Sequence, residues 1–412
     1  MKKIFLLLFL AAIAQSLTAQ TAPKTYEYRN GSWYNGKDFT NGTWYVVGGR
    51  LTQKAPVKID SIVDLLNRWV VPPSADVFCS SVAGNSAAAT TLKLYFEEGA
   101  FYLQILGNTT EGRAAVEGLV NKSTTPDVSF GNGGLTCTLG YPFLKYEGPA
   151  QGIRNPQLWG AKYDQIKTGT KMLGNGYWFI DNKDALNKNW DKIKAQKPQV
   201  ISIYLLDAQK SGGKEGKGLS AEVAKLVVKK AHKSDLRVYA HVENEDDVQL
   251  ALKLGVDGFA NLPGHDWDGS GDVKKYELSD DDLKKMAKKK IPVAACFSHG
   301  QNATAPAVQA FHLATLKRLL DNDVNLVLGS DDSQRSGRVE LSYWFNLGGL
   351  DYGKLLKVLC ENSPRAVFPD RKIGKIDEGF EASFVVLNDN PLTNILKLRA
   401  VSVKVKNGIL TK

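Results

Sequence analysis

Histidine is scarce in this chain of 412 residues, and its absence from the first half limits the chemistry available there. Five histidines are present, and the first of them is His232. The four cysteines, Cys79, Cys137, Cys296 and Cys360, are widely spaced and form no CxxC pair of the kind that binds zinc or carries redox chemistry. They permit one or two disulfides in an oxidising compartment, or four buried apolar side chains, and their spacing does not decide between the two.

Long hydrophobic runs are also missing, which predicts that no segment spans a membrane. The first 19 residues combine Lys2 and Lys3 with a short apolar run, Ile4–Ala14, and a small-residue end, which is typical of a secretory signal. We therefore expect an exported protein, either periplasmic or secreted.

The formal net charge of +10 comes largely from lysines that cluster on predicted helices. We interpret these clusters as solvated helix faces. Because no motif interleaves basic and aromatic residues, we predict no nucleic-acid partner, while an anionic surface or substrate stays open. The glycine-rich stretches 131–134 and 211–218 lack phosphate-loop spacing and indicate loops.

The middle of the chain alternates apolar runs with amphipathic segments, the pattern of a parallel α/β fold. Amphipathic helices are predicted at 183–195, 218–233, 244–254, 279–289, 304–322 and 351–362. Strands are predicted near 75–79, 101–106, 135–139, 200–206, 236–240, 256–260, 291–296 and 325–329. Eight strands with interleaved helices predict a (β/α)8 TIM-like barrel. The aromatic segment 141–182 is either a lid over the barrel mouth or a packed insertion.

Both ends of the chain have β-type patterns, with Asn-Gly and Gly-Gly dipeptides between short runs near the N-terminus. We predict one small composite β domain made from both ends. The expected boundaries are 1–19 for the signal peptide, 20–65 and 369–412 for the composite β domain, and 66–368 for the barrel.

Polar residues follow several predicted strands, and in a (β/α)8 barrel these C-terminal strand ends carry the chemistry. Candidate residues for binding a small-molecule substrate or ligand at this end are Phe78, Ser80, Ser202, Asn261, His265 and His299, beside the ionisable residues His241 and Asp331.

Four segments resemble the amidohydrolase superfamily, near its imidazolonepropionase-like and secreted bacterial members. They are VYAHVEN, GVDGFANLPG, LVLGSDDS and the tail ENSPRAVFPDRKIGKIDEGFEASFVVLNDNPL. The resemblance implies metal-dependent hydrolysis of C–N bonds other than peptide bonds. It also implies a His-x-His pair on the first strand, a carboxylated Lys or a Glu on the fourth, and a His on the fifth and sixth. An Asp on the eighth strand would be both metal ligand and general base.

Carried over position by position, the resemblance leaves His241 as a metal ligand and Asp331 as metal ligand and catalytic base. Phe78 and Ser80 stand at the first-strand pair, Ser202 at the Lys position and Asn261 at the sixth-strand His. Since catalytic zinc generally takes three protein ligands, the resemblance implies either no cofactor or one divalent metal (Zn) at a degenerate site.

Three alternatives remain open for these residues. His265 or His299 rebuilds a metal site with His241 and Asp331; Cys79 acts as a nucleophile beside His241; or His241 and Asp331 form a hydrogen-bonded pair that fills the barrel mouth. Two functional hypotheses follow, a metal-dependent amidohydrolase and a non-catalytic pseudoenzyme that binds a ligand or a partner. The oligomeric state is left open.

Overall fold

A computed structural model describes residues 24–83, 87–206, 218–300 and 303–411. The expected signal peptide and most of the glycine-rich stretch 211–218 lie outside these ranges. None of the helices in the described ranges combines the length and the apolar character that a bilayer crossing needs.

Eighteen strands build the described part of the chain into three sheets. They are β1 (Tyr26–Tyr34), β2 (Phe39–Val47), β3 (Arg50–Thr52), β4 (Ser61–Asp64), β5 (Trp69–Val71), β6 (Ser74–Asp76), β7 (Ala100–Ile105), β8 (Asp127–Phe130), β9 (Gly134–Thr136), β10 (Tyr177–Phe179), β11 (Val200–Tyr204), β12 (Arg237–His241), β13 (Gly258–Phe259), β14 (Val293–Ala294), β15 (Leu326–Val327), β16 (Phe384–Leu387), β17 (Val401–Lys406) and β18 (Ile409–Thr411).

The helices mostly follow the strands of the middle region. They are α1 (Ala88–Glu97), α2 (Thr110–Glu117), α3 (Phe143–Ala150), α4 (Tyr163–Ile166), α5 (Lys183–Ala195), α6 (Ala221–His232), α7 (Glu245–Leu254), α8 (Asp280–Lys289), α9 (Pro306–Asp321), α10 (Arg338–Leu347), α11 (Tyr352–Lys357) and α12 (Ser363–Val367). A π-type segment, Val358–Asn362, joins α11 to α12.

The two ends of the chain share one sheet, in the order β18-β17-β16-β5-β1-β2-β3, with β4 paired to β1. Strand β16 pairs with β17 on one side and with β5 on the other, both antiparallel. The composite β domain expected from the terminal sequence patterns is therefore present, but it includes β5, which the predicted boundary at residue 66 assigned to the barrel, because β5 pairs with β16 and β1.

The middle strands pair in parallel as β6-β7-β8 and β9-β11-β12-β13-β14-β15, with β10 added beside β9. Two backbone hydrogen bonds connect these sheets into a ring. Gln199 N–H donates to the Phe130 carbonyl (2.8 Å), and Val77 N–H donates to the Leu328 carbonyl (2.7 Å). With β8 and β9 as one interrupted strand, eight strands enclose the core, which is the expected (β/α)8 TIM-like barrel.

Local sequence signals position the helices of the second half well. Asn244 and Asp247 form a reciprocal capping box at the start of α7, and Gly255 ends that helix in the left-handed conformation. Ser220 and Ser279 cap α6 and α8. All six helices predicted from the pattern are present within a few residues, although the sixth continues past Lys357 as the π-type segment.

Several elements of residues 66–368 were not predicted from the sequence. Strands β8 and β10 lie where no strand was expected, and helices α1, α2, α3, α4, α10 and α12 were missed. Helix α2 is short and contains Gly112, which weakens its helical pattern. All four cysteines are unpaired thiols, three of them buried, so the structure has the apolar alternative and not the disulfides.

Candidate functional site

The C-terminal ends of the barrel strands open into a cavity of about 720 Å³. Five of the eight sequence-predicted site residues line it directly: His241, Asn261, His265, His299 and Asp331. The other three, Phe78, Ser80 and Ser202, contact His241 or Asp331. The fold therefore brings all eight residues together, as strand-end positions in a parallel barrel require.

His241 ends β12 and is held on several sides. Its Nε2 lies 2.7 Å from Ser202 Oγ, its ring stacks on Tyr204 at 4.3 Å between centroids, and Phe78 meets it edge-on at 5.2 Å. Burial, reinforced by the positive charge of Lys145, lowers the pKa of His241 to about 3. The imidazole is therefore neutral near pH 7.

Asp331 follows β15 in a left-handed backbone conformation, with φ of 43°. Its N–H donates to the Phe78 carbonyl at 2.8 Å, and its carboxylate accepts a 2.6 Å hydrogen bond from Ser80 Oγ. The expectation that His241 and Asp331 are hydrogen-bonded to each other is wrong. Each bonds instead to the serine from a neighbouring strand, because adjacent parallel strands place those hydroxyls nearest.

Asn261 is committed to the backbone of the neighbouring strand end. Its Oδ1 accepts from Val242 N–H (3.2 Å) and its Nδ2 donates to the Val242 carbonyl (2.6 Å). The same Nδ2 lies 3.1 Å from His265 Nδ1. Burial lowers the pKa of His265, and its ring stacks with that of His299 at 6.1 Å between centroids. Asn261 thus fixes the position of His265 at the cavity wall.

Cys79 is fully buried, with its Sγ 3.7 Å from Ser81 Oγ. Burial and the nearby Asp76 carboxyl raise the pKa of the Cys79 thiol to about 12. Because the thiolate is the reactive form of cysteine, this environment opposes a nucleophilic role beside His241.

Segment 141–182 is both a packed insertion and a cover for the cavity. Phe143, Ile166 and Tyr177 form its own small core. Its residues Tyr141, Leu144 and Tyr163 line the cavity, and the Tyr141 ring lies 5.3 Å from that of Tyr204. The segment therefore has features of both alternatives from the sequence, since it covers the cavity and is also a packed insertion.

Lys145, in α3 of this insertion, is a residue that sequence reasoning missed. The Tyr141 phenol, with Asp331 and Tyr146, raises the pKa of Lys145. The ammonium is thus a permanent positive charge within electrostatic range of Asp331 and His241. Nothing in the local sequence signals this role, because α3 reaches the barrel mouth only through the packing of the insertion.

Glu340, in α10, was also missed and holds the chain that carries His299. Its carboxylate is fully buried and accepts hydrogen bonds from Phe297 N–H (2.9 Å), Ser298 N–H (2.7 Å) and Trp344 Nε1–H (2.7 Å). Burial raises the pKa of Glu340 to about 7. One carboxylate therefore satisfies three donors just before His299.

Replacing Glu340 with glutamine is expected to lower the free energy of unfolding by about 1–2 kcal/mol at pH 8, because an amide has one acceptor oxygen instead of two. The difference should grow below pH 7, because the raised pKa of Glu340 means that the folded wild type binds the proton more tightly than its unfolded chain, a gain in stability that the glutamine variant lacks. Urea unfolding at pH 8 and pH 5.5 measures both effects. The exposed substitution Glu117→Gln is the control, and an equal loss in the control would contradict the anchoring role of Glu340.

The donor set in the mouth does not fit the metal centre that the family resemblance implies. His241 Nε2 is engaged by Ser202, and the Asn261 amide bonds the Val242 backbone. Throughout the described ranges, no group of three or more His, Cys, Asp or Glu side chains is arranged to hold a metal ion. Catalytic zinc generally needs three such ligands.

Comparison with known proteins agrees with the fold and the motifs. A model of the amidohydrolase family matches residues 181–410. Ochratoxinase from Aspergillus niger is 24% identical over 185 residues, which make up 43% of this chain and 37% of the ochratoxinase. The match thus spans little more than a third of that relative's length.

Solved structures extend the likeness over nearly the whole chain at the level of the fold. The crystal structure of A. niger ochratoxinase has a TM-score of 0.71 at 18% identity, covering 94% of this chain and 96% of that one. A Xaa-Pro dipeptidase with bound methionine has 0.69 at 14% identity, covering 94% and 100%. Molinate hydrolase has 0.70 at 15% identity, covering 95% of each chain. Because the model of the amidohydrolase family matches more than half of the length of this chain, the chain belongs to that family.

Proposed function

We propose that this amidohydrolase-family protein uses the barrel mouth to bind a small molecule and has lost the metal-dependent hydrolysis of its relatives. The observation that carries the proposal is the commitment of the family's ligand positions to other partners. His241 bonds to Ser202, Asp331 to Ser80, and Asn261 to the Val242 backbone.

The chemical consequence concerns the attacking water. A bound divalent metal lowers the pKa of water from about 15.7 to about 7 and so generates hydroxide at neutral pH. His241 and Asp331 supply two of the ligands that the family motif implies, and Ser202 and Asn261 replace two others with neutral groups. The first-strand positions, Phe78 and Ser80, also contain no imidazole. Together these side chains favour the binding of a small molecule over metal-assisted hydrolysis.

The cavity has the features of a small-molecule site. Its volume of about 720 Å³ falls within the range of 300–1,000 Å³ that is usual for such sites. Tyr141, Leu144 and Tyr163 of the insertion supply apolar wall, while Asp331 and Asn261 supply polar contacts. These walls favour a ligand with an apolar or aromatic part and a polar part.

Metal analysis by mass spectrometry tests the proposal on protein expressed with zinc and manganese supplied. We expect well under one metal per chain in the wild type and in a His241→Ala, Asp331→Ala variant. We also expect no turnover of cyclic amides, N-acyl amino acids or Xaa-Pro dipeptides.

A matched control is available at the opposite end of the barrel, where His232 Nε2 lies 2.8 Å from Asp257 Oδ2. The His232→Ala, Asp257→Ala variant detects adventitious metal on an accessible histidine. About one metal per chain that is lost only in the His241, Asp331 variant would overturn the proposal.

That outcome would support the second candidate, a metal-dependent hydrolase with a rebuilt site. One observation favours this alternative, namely that His265, His299 and Asp331 line the same cavity. The same substrate panel would then identify its activity.

A further inference from the structure

A second large concavity lies at the other end of the barrel, where the strands begin. It has a volume of about 780 Å³ and is separate from the mouth, with which it shares no lining residue. Arg237 is the first residue of β12, and Pro292 and Asn325 immediately precede β14 and β15. We call this concavity the basal bowl, since it faces the side opposite the candidate functional site.

The basal bowl is strongly cationic. Two carboxylates line it, Asp257 and Asp323, against five cationic side chains: Arg237, Lys290, Lys354, Lys357 and Arg365. The resulting excess of three positive charges is larger than a surface patch of this size would carry if the net charge of the chain were spread evenly. The concave walls of the bowl focus the electrostatic potential of these charges.

Local contacts neutralise only part of this charge, because Lys354 pairs with Asp321 and Arg365 Nη2 lies 3.8 Å from Glu361 Oε2, and neither acid lines the bowl. Asp257 Oδ2 is already engaged, because it accepts from Val238 N–H (2.7 Å) and lies 2.8 Å from His232 Nε2. Arg237 donates to two uncharged acceptors, the carbonyls of Ala366 (2.5 Å) and Val367 (2.9 Å). Its guanidinium therefore keeps its full charge.

The lysines divide into two groups. Lys354 Nζ pairs with Asp321 (2.9 Å), so it is compensated from outside the bowl. Neither Lys290 nor Lys357 forms an ion pair within 4.0 Å anywhere in the described ranges. Lys290 follows α8 and Lys357 ends α11, so two ammonium groups that no described carboxylate approaches within 4.0 Å come from different elements, with Glu361 acting on Lys357 only at longer range.

We propose that the basal bowl binds a small molecule that carries at least two anionic groups. Cations from separate elements around one concavity favour a ligand that can reach more than one of them, and the volume falls within the range of small-molecule sites. Phosphate and carboxylate groups share this chemistry. The competing explanation is that the lysines only offset the negative C-terminal ends of α8 and α11, and this explanation does not account for Arg237 on a strand.

The test is calorimetric titration of the full chain with pyrophosphate and with citrate, at low and constant ionic strength. Saturable binding of about one equivalent of either is expected, and their relative affinities show whether phosphate or carboxylate fits better. In the Lys290→Gln, Lys357→Gln variant the dissociation constant should rise at least tenfold. The control is Lys225→Gln, Lys284→Gln, which removes the same charge from exposed helix positions outside the bowl and should leave the constant within twofold.

Two outcomes would overturn the proposal. One is the absence of saturable binding of both anions to the wild type. The other is equal weakening by both variants, which would assign the binding to overall net charge. Circular dichroism checks that each variant is folded, and the His241→Ala, Asp331→Ala variant should bind as the wild type does, which separates this site from the mouth.

Discussion

Replacing Asp127 with asparagine is expected to lower the free energy of unfolding by about 3–5 kcal/mol, the usual cost of leaving a buried charge without its partner. Asp127, at the start of β8, accepts hydrogen bonds from Lys406 Nζ (2.6 Å) and Arg371 Nη1 (2.7 Å). Arg371 also binds Glu381 at 2.6 Å. This network connects the barrel to the composite β domain.

The size of the effect comes from Lys406, which is fully buried in β17. Burial lowers the pKa of its ammonium, and Asp127 opposes that shift. In the asparagine variant the ammonium retains the carbonyls of Lys122 and Thr125 as acceptors but loses its negative partner.

Chemical denaturation followed by fluorescence measures the loss. Asp164→Asn is the control, because Asp164 pairs with Lys167 on the surface and such pairs contribute about 0–1 kcal/mol. A further Lys406→Met substitution in the Asp127→Asn background should recover part of the loss, since it removes the unpaired charge. Equal effects of the Asp127 and Asp164 substitutions would contradict the network's role.

The stability of the protein is expected to fall in acid partly through one buried imidazole, His312. Its Nε2 lies 2.9 Å from the Gly264 carbonyl, its Nδ1 lies 2.7 Å from the Tyr343 hydroxyl, and its ring stacks on Phe297 at 4.0 Å. Burial lowers the pKa of His312 from 6.5 to about 4.

The direction in which His312 changes stability with pH follows from the protonation states of the folded and unfolded protein. The folded protein binds the proton more weakly than the unfolded chain, so the contribution of His312 is present above pH 6.5 and is lost as the pH falls towards 4. At 1.36 kcal/mol for each pKa unit, the loss at pH 4.5 amounts to about 2.5 kcal/mol.

Comparing the wild type with His312→Gln at pH 7.5 and pH 4.5 isolates this effect. Glu340 and the other titrating groups are common to both proteins, so the wild type should lose about 2.5 kcal/mol more than the variant between the two pH values. Parallel pH profiles for the two proteins would show that His312 does not carry this dependence.

The sequence by itself determined the order and type of most elements in the second half of the chain. The strand–helix–strand unit at 236–260 was predictable because its signals are local: an apolar run, the capping residues Asn244 and Asp247, and Gly255 at the helix end. The absence of histidines from the first strand was equally predictable, since no shift of the alignment places an imidazole before His232.

Only the tertiary structure decided how the candidate site residues are used. Ser202 and His241 are 39 residues apart, and Ser80 and Asp331 are 251 apart, so their hydrogen bonds exist only once the strands are adjacent. Lys145 and Glu340 escaped sequence reasoning for the same reason, because neither belongs to a strand-end motif. Periodicity and capping depend on neighbours along the chain, whereas charge compensation and hydrogen bonding at the barrel mouth depend on which strands and insertions the fold brings together.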